Sequence, residues 1–450
     1  MSGFAGVVYR SGRPAAPSDL ERMLGAVRRR GPDAQGTWFD GSVGLVAAVL
    51  RVSSEAAEEI QPVVRGGVAV TFDGRLDERD RLLAHLARPH DLKPNAPDAA
   101  IVAAGYEQLG DRVIDLLEGD FALAIADLPA GTVTLARDPM GVRPLYFGQT
   151  VVGTLFGSTI AALFAHGDVS AAPNRDVLAE YLLGGTPRAT AWDTFFEGVS
   201  AVAPGYVVRI GDEDVRRRQF WAFDPEAQIR LPGRGEYAEA YAELFDRAVA
   251  RRLRSAHPVG VQVSGGLDSS SIFCLADRLS ADGRSGGELE GLHLASPPDS
   301  LGDEERYVRM VESATGRDIH RIPMLPLGSL EGLAEYVGIA ESPVPYRGWG
   351  IAAAFMGHFS ERGCRSYVTG HFGDQVLIHQ AYLVDLFDRG RFPTVARHLR
   401  TYPQWLEPVP PRYFLRQFAR DLVRWHLPAS AIPALRDLRS RRAGPLHDRP

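Results

Sequence analysis

The run Val261-Gln262-Val263-Ser264-Gly265-Gly266-Leu267-Asp268-Ser269-Ser270-Ser271 constrains this chain more than any other stretch. An apolar, strand-like segment enters it, and a helix-like run, Ile272-Phe273-Cys274-Leu275-Ala276, leaves it. The glycines allow a tight turn and a close approach of backbone to ligand. The serine hydroxyls and the first amides of the following helix then converge on one spot, which suits a phosphate or pyrophosphate. Asp268 adds a carboxylate able to hold Mg²⁺ against such phosphates. The loop is not a Walker A sequence, because no Gly-Lys-Ser/Thr follows. Ser-Gly-Gly alone is an ordinary strand-to-helix turn; the seven residues from Ser264 to Ser270 behind an apolar strand select the phosphate reading. The expected site comprises Val263, Ser264, Gly265, Gly266, Leu267, Asp268, Ser269 and Ser270.

The chain has 450 residues, enough for two or three domains. A formal net charge of −6 gives no electrostatic case for nucleic acid or an anionic membrane. Arg28-Arg29-Arg30 and the arginines at 436, 439, 441 and 442 are read as solvated faces. The two cysteines, Cys274 and Cys364, form neither a metal motif nor a disulfide framework, and Cys274 lies in an apolar run that suits a core position. No apolar stretch approaches the roughly 20 residues of a membrane span. The start, Met-Ser-Gly-Phe-Ala-Gly, lacks the shape of a signal peptide, so a cytoplasmic location is expected.

Residues 1–210 carry short apolar or alternating runs: Val43–Val52, Gly67–Phe72, Phe121–Asp127, Thr132–Arg137 and Val151–Ser158. Such spacing predicts packed antiparallel sheets, covered by helices at 18–29, 78–87, 98–108 and 174–183. Gly211–Gly235, with its Arg, Pro and Gly clusters, is expected to be a linker. From 236 the pattern changes to alternating helix and strand: helix Glu236–Leu253, strand Val259–Val263, helix Ser270–Leu279, strand Leu289–Ala295, helices 303–316 and 350–362, and strand Arg365–Thr369. That alternation predicts an α/β doubly wound parallel sheet over 236–450, with ligands at the C-terminal strand ends. Beyond about 380 the chain reads as scaffold helices.

A second loop, Tyr367-Val368-Thr369-Gly370-His371-Phe372-Gly373-Asp374-Gln375, repeats the strand–glycine–carboxylate design. Thr369 and Gly370 are expected to touch phosphate, and Asp374 to share Mg²⁺ with Asp268. Thr-Gly-X-X-Gly-Asp is weak alone and strong about a hundred residues after Ser-Gly-Gly-Leu-Asp-Ser. With it the chain resembles the asparagine synthetase superfamily, whose loop is that of the ATP pyrophosphatases, enzymes that split ATP into AMP and pyrophosphate. Arg30-Gly31-Pro32-Asp33, Gln61-Pro62, Leu117-Glu118-Gly119-Asp120-Phe121-Ala122 and Ala136-Arg137-Asp138-Pro139-Met140-Gly141-Val142-Arg143-Pro144-Leu145-Tyr146 are similar to the family's glutamine amidotransferase domain. Phe196-Glu197-Gly198-Val199 and Pro204-Gly205 are similar to the passage into its synthetase domain. The resemblance implies an α+β Ntn-hydrolase-like sandwich over 1–210, followed by an adenine-nucleotide α-hydrolase-like domain, with ATP and Mg²⁺ as cofactors.

In that family an N-terminal cysteine, freed by removal of Met1, hydrolyses glutamine. This chain has Ser2 there, a much weaker nucleophile at neutral pH. Where the family has an Asn-Gly pair of oxyanion donors, this chain has Asp73-Gly74, and an ionised Asp73 would repel a developing oxyanion. The resemblance therefore implies a degenerate glutaminase site made of Ser2, Arg51, Asp73, Gly74 and Asp98, in a domain kept as structure.

Without ammonia from glutamine, an adenylated carboxylate needs another amine. Two branches resemble this state: β-lactam synthetases and the cyclases that close the macrolactam of lasso peptides. In both, an amine of the same molecule attacks an acyl-AMP. His371 replaces an acid or a tyrosine found there in other members; it is able to accept the amine's proton, or to hydrogen-bond near the phosphates. The family's residues after Asp374 are absent, and Gln375-Val376-Leu377 with Tyr382–Phe392 looks more like lasso cyclases. A peptide or small-molecule carboxylate substrate is implied, with a leader-peptide-binding protein and a leader peptidase as partners. Ammonia-fed asparagine synthetase and a non-catalytic ATP-binding subunit are the alternatives. Synthetases of this family continue past residue 450 and carry a catalytic lysine there. Lys93 is the only lysine in this chain, so the expected reading includes a synthetase domain lacking its usual C-terminal part.

Overall fold

The computed structural model describes residues 1–427 except 88–91, 94, 184–189, 212–213, 285, 299, 301, 325–332, 344–348, 372, 374–380 and 406–409. Its N-terminal half is built on two antiparallel sheets. The first runs in the order β10-β8-β9-β1-β3-β2 and the second in the order β12-β11-β7-β6-β5-β4. The first sheet uses β1 (Gly3–Tyr9), β2 (Ala34–Asp40), β3 (Val43–Val49), β8 (Tyr146–Gln149), β9 (Gly153–Gly157) and β10 (Val199–Ala201). The second uses β4 (Val63–Arg65), β5 (Val68–Leu76), β6 (Gly119–Asp127), β7 (Thr132–Arg137), β11 (Tyr206–Ile210) and β12 (Val215–Gln219).

The alternation within β6 explains the layering. Phe121, Leu123 and Ile125 point to a core shared with helix α3 (Asp98–Leu109), whereas Ala122, Ala124 and Ala126 point to the core between the sheets. Period-two alternation puts each set on one face. Small residues let the sheets approach, and large ones fill the space under the helix. On the other side, Val7 and Tyr9 of β1 pack with Leu20, Met23 and Val27 of α1 (Pro17–Val27) and with Leu163 of α4 (Ile160–His166). The N-terminal half is therefore a helix–sheet–sheet–helix sandwich, of the Ntn-hydrolase-like kind. Helix α2 (Arg79–Ala84) precedes α3, and α5 (Arg175–Leu183) follows α4.

Part of the expected linker is a strand. Residues 215–219 pair with Tyr206–Ile210 and form the edge of the second sheet. Its arginines are partly paired, Arg218 to Asp115 at 2.8 Å and Arg216 to Asp214 at 2.6 Å, and the guanidinium of Arg217 lies 4.2 Å above the Trp192 ring. Charged side chains on an edge strand oppose further strand addition.

The second half begins with α6 (Arg234–Arg252) and has a parallel sheet in the order β15-β14-β13-β16. Its strands are β13 (Val259–Gln262), β14 (Leu289–Ala295), β15 (Ile319–Pro323) and β16 (Ser366–Val368). Helices α7 (Leu267–Ala281), α8 (Glu305–Thr315), α9 (Leu333–Ala340) and α10 (Trp349–Glu361) connect them. From β13 the chain moves outward to β14 and β15, then returns to place β16 on the other side of β13. This is a doubly wound arrangement whose strand order reverses at the β13/β16 pair.

Residues 1–369 form one compact unit and 370–450 another. In the second, α11 (Tyr382–Asp388), α12 (Phe392–Trp405) and α13 (Pro411–His426) pack around Leu383, Val384, Val395 and Phe418.

Candidate functional site

The crevice outside the ends of β13 and β16 is where ligands bind in open α/β sheets, and the Ser264–Ser270 loop lies there. Strand β13 enters as a buried rod: Val259, Val261 and Val263 are fully buried. Gly265 has φ of +80°, the left-handed region that favours glycine. Helix α7 begins at Leu267 rather than near Ser270, so Asp268 stands in its first turn and not in the loop. Its N-cap residue, Gly266, supplies no side-chain cap to the first amides. Unsatisfied helix-start amides together with the dipole favour an anion.

The serines depart from expectation. The hydroxyls of Ser264 and Ser269 lie 2.9 Å apart, and Ser269 Oγ accepts the Ser264 N–H at 3.0 Å. They brace the loop instead of pointing out of it. Ser270 differs: its hydroxyl is buried and lacks a hydrogen-bond partner. Leu267 is 86% exposed, so only its backbone is placed to act on a ligand. Asp268 and an uncapped helix start form a donor and carboxylate set that fits a Mg²⁺-bound phosphate chain.

One neighbour escaped the sequence. His293, on β14, is buried, with Nδ1 2.8 Å from the Val263 carbonyl oxygen and Nε2 without a hydrogen-bond partner. It holds the end of β13 just before the loop. Burial raises the Glu304 carboxyl above its ordinary value, opposed by His293. Of the second loop, Thr369 and Gly370 follow β16 and are partly buried, and His371 is exposed. Asp374 lies outside the described residues, so its expected partnership with Asp268 rests on sequence.

In the N-terminal half, Ser2 stands at the start of the central strand β1. Its hydroxyl accepts the Leu50 N–H at 3.0 Å, and its carbonyl accepts Arg30 Nε–H at 2.9 Å. Burial lowers the Met1 amino group to about 6, against the opposing effect of Asp73. Asp73 is buried on β5, 2.9 Å from Arg30 and 3.7 Å from Arg143. Gly74 beside it is required: a Cβ there would sit 2.1 Å from the Asp120 carbonyl oxygen of β6. Ser2 and Asp73 are thus brought together, through Arg30.

Arg51 and Asp98 lie in a second cluster. The Arg51 side chain donates to the Glu59 carbonyl oxygen at 3.1 Å, and its Nε is buried without a hydrogen-bond partner. Asp98 accepts the Leu76 N–H at 2.8 Å and pairs with Arg79 and, at 3.2 Å, with Arg254. Burial pushes the Glu59 carboxyl up to about 7. Arg30 and Arg143 belong to motifs that carry the resemblance; nothing in the sequence singles out Glu59 or Arg254.

A two-sheet sandwich joined to a doubly wound parallel-sheet domain defines a two-domain amidotransferase–synthetase architecture. Residues 1–221 match the family model of the glutamine amidotransferase domain, and residues 240–444 match that of asparagine synthase. The chain belongs to the asparagine synthetase superfamily. Among curated relatives, amidase chry2 of Gibberella zeae is 29% identical, covering 79% of this chain and 54% of the relative. Glutamine-hydrolyzing asparagine synthetase 3 of Bacillus subtilis is 28% identical, over 57% of this chain and 42% of the relative. The chain spans about half the length of these two relatives. Among solved structures, glutamine phosphoribosylpyrophosphate amidotransferase from B. subtilis covers 75% of this chain and 92% of its own, at 13% identity and a TM-score of 0.38. Among the described residues, no helix is long and apolar enough to cross a membrane.

Proposed function

We propose that the chain is an ATP-dependent, AMP-forming carbon–nitrogen ligase that closes an amide within one substrate, as lasso peptide macrolactam cyclases do. The observation that carries the ligase reading is the Ser264–Ser270 loop at the β13/β16 reversal, with Asp268 in the first turn of α7. The first amides of α7, left uncapped by Gly266, bind the departing pyrophosphate. Asp268, with Asp374, would hold Mg²⁺, which neutralises charge on the leaving pyrophosphate when bound. A substrate carboxylate oxygen attacks the α-phosphorus of ATP, and the bond to the β-phosphate bridge breaks. An amine then attacks the acyl-adenylate carbon, AMP leaves, and a base takes the ammonium proton. His371 is the candidate base.

The intramolecular amine is favoured by the N-terminal half. Ser2 replaces the family's nucleophile, and Asp73 sits where an amide donor is needed, fixed by Arg30 at 2.9 Å. A leader-peptide-binding protein and a leader peptidase are the partners this reading implies. The experiment is to supply ATP and Mg²⁺ with either candidate precursor peptide or aspartate plus ammonium. AMP release with loss of one water from the peptide is the expected result. Asparagine instead would replace the cyclase reading with an ammonia-fed synthetase, and ATP binding without AMP release would point to a non-catalytic subunit. Asp268→Ala should lower AMP formation by on the order of a hundredfold or more. Retained turnover would remove Asp268 from the site.

A further inference from the structure

The end of α6 and its connection to β13, both in the second half of the chain, are anchored to the first half at alternate residues. Arg252 makes a two-pronged pair with Asp120 at 2.6 and 3.0 Å. Arg254 donates to Glu55 Oε1 at 3.2 Å, to the Leu76 carbonyl oxygen at 2.9 Å and to Asp98 Oδ2 at 3.2 Å. The Ala256 N–H donates to the Val52 carbonyl oxygen at 2.8 Å. The middle anchor enters the cluster that also holds Arg51 and Glu59. Only a quarter of the Arg254 side chain is exposed, and about a tenth of Asp98.

An amino acid ligand offers a carboxylate and an ammonium group. A pocket for it needs a cation such as Arg51 and an anion such as Asp98. In this chain both oxygens of Asp98 are taken: Oδ1 by Arg79, Oδ2 by the Leu76 amide and Arg254. The planar fork of Arg254, covalently held in place, spans Glu55, the Leu76 carbonyl and Asp98 from one side chain, so it meets them without the cost of capturing a free ligand.

We propose that Arg254 is the resident occupant of the Asp98 side of this pocket, so that the pocket excludes free glutamine and locks the two halves of residues 1–369 together. The inference rests on the reading of Ser2, Arg51, Asp73, Gly74 and Asp98 as a degenerate glutamine site. It adds a third block to Ser2 and Asp73, and this one comes from the other half of the chain.

Full-length protein and the variants Arg254→Ala, Asp98→Asn and their combination separate the outcomes. Amide exchange in 50–57 and 74–78 should quicken about tenfold in each single variant, the size expected for losing one charge-assisted hydrogen-bond set. The double variant should fall short of the sum of the two single effects, because both remove the Arg254–Asp98 contact while each also loses partners of its own. Additive effects, or no effect, would overturn the lock. Arg254→Lys keeps the charge but not the fork, and should show the same direction if Arg254→Ala does not fold. Calorimetry with L-glutamine should show binding to Arg254→Ala at least about tenfold tighter than to the unmodified protein. Equal binding, including none to either, would overturn the exclusion. Glutamine hydrolysis by the unmodified protein is a different result: it would sink the degenerate-site reading itself.

Discussion

Gly265 and Gly266 are neighbours in one loop, yet substitution should separate them. Gly265 has φ of +80°, and a Cβ there would lie 3.0 Å from Tyr307 Cβ and 3.1 Å from Glu304 Cβ at the start of α8. Gly266 has φ of −70° and ψ of 161°, and its added Cβ would meet only the Ser264 hydroxyl, at 3.3 Å. An L side chain in the left-handed region costs about 1–2 kcal/mol before any clash. Gly265→Ala should therefore lower the unfolding free energy by at least about 1 kcal/mol in urea titration, and Gly266→Ala by less than half of that. Equal losses would mean that backbone strain is not what sets the loop. The loop's glycines and Asp268 were legible because one continuous stretch of chain builds them. Arg254 was not, because its partners Glu55 and Asp98 lie 199 and 156 residues away. His293 was hidden for a similar reason: a histidine within Leu-His-Leu looks like any strand residue until β14 is set beside Val263.

Alternation decides which strands can be read from sequence. β6 carries large and small apolar residues on opposite faces, both buried, and the structure confirms an element over Gly119–Asp127. β12 defeats the same rule: Arg216-Arg217-Arg218 has no apolar side, so the segment looks like linker although its backbone pairs with β11. α7 shows the limit at helix starts. Its serines and aspartate favour caps over helix interiors, so sequence places the start near Ser270, while the backbone turns helical from Leu267. The two faces of β6 make opposite demands. Leu123→Ala should cost about 2–5 kcal/mol by opening a cavity under α3. Ala124→Leu should cost about 1–3 kcal/mol by forcing the sheets apart. Denaturant midpoints measure both; a neutral Ala124→Leu would show that the space between the sheets is looser than its buried alanines suggest.

Over residues 1–369 ion pairs join the two halves: Arg252 to Asp120, Arg254 to Asp98 and Arg365 to Asp33. Arg365, just before β16, donates to both Asp33 oxygens and, at 2.8 Å, to the Arg51 carbonyl oxygen. Asp33 belongs to the Arg30–Asp33 motif and also accepts the Arg51 N–H at 2.7 Å. One carboxylate thus ties the approach to the strand that carries the second loop to the backbone of Arg51. Burial alone would raise the Asp33 carboxyl, but its hydrogen bonds to Arg365 and Arg51 hold it below its ordinary value. A carboxyl depressed on folding contributes stability that is present above its unfolded value near 3.8 and is lost as pH falls through the folded value. Arg365→Ala should therefore cost about 1–3 kcal/mol at pH 7. The gap between variant and unmodified protein should close as pH drops below about 4. Unfolding titrations at pH 7, 5 and 3.5 read this directly. A gap that stays constant through that range would mean that Arg365 acts by packing and leaves Asp33 out of the coupling.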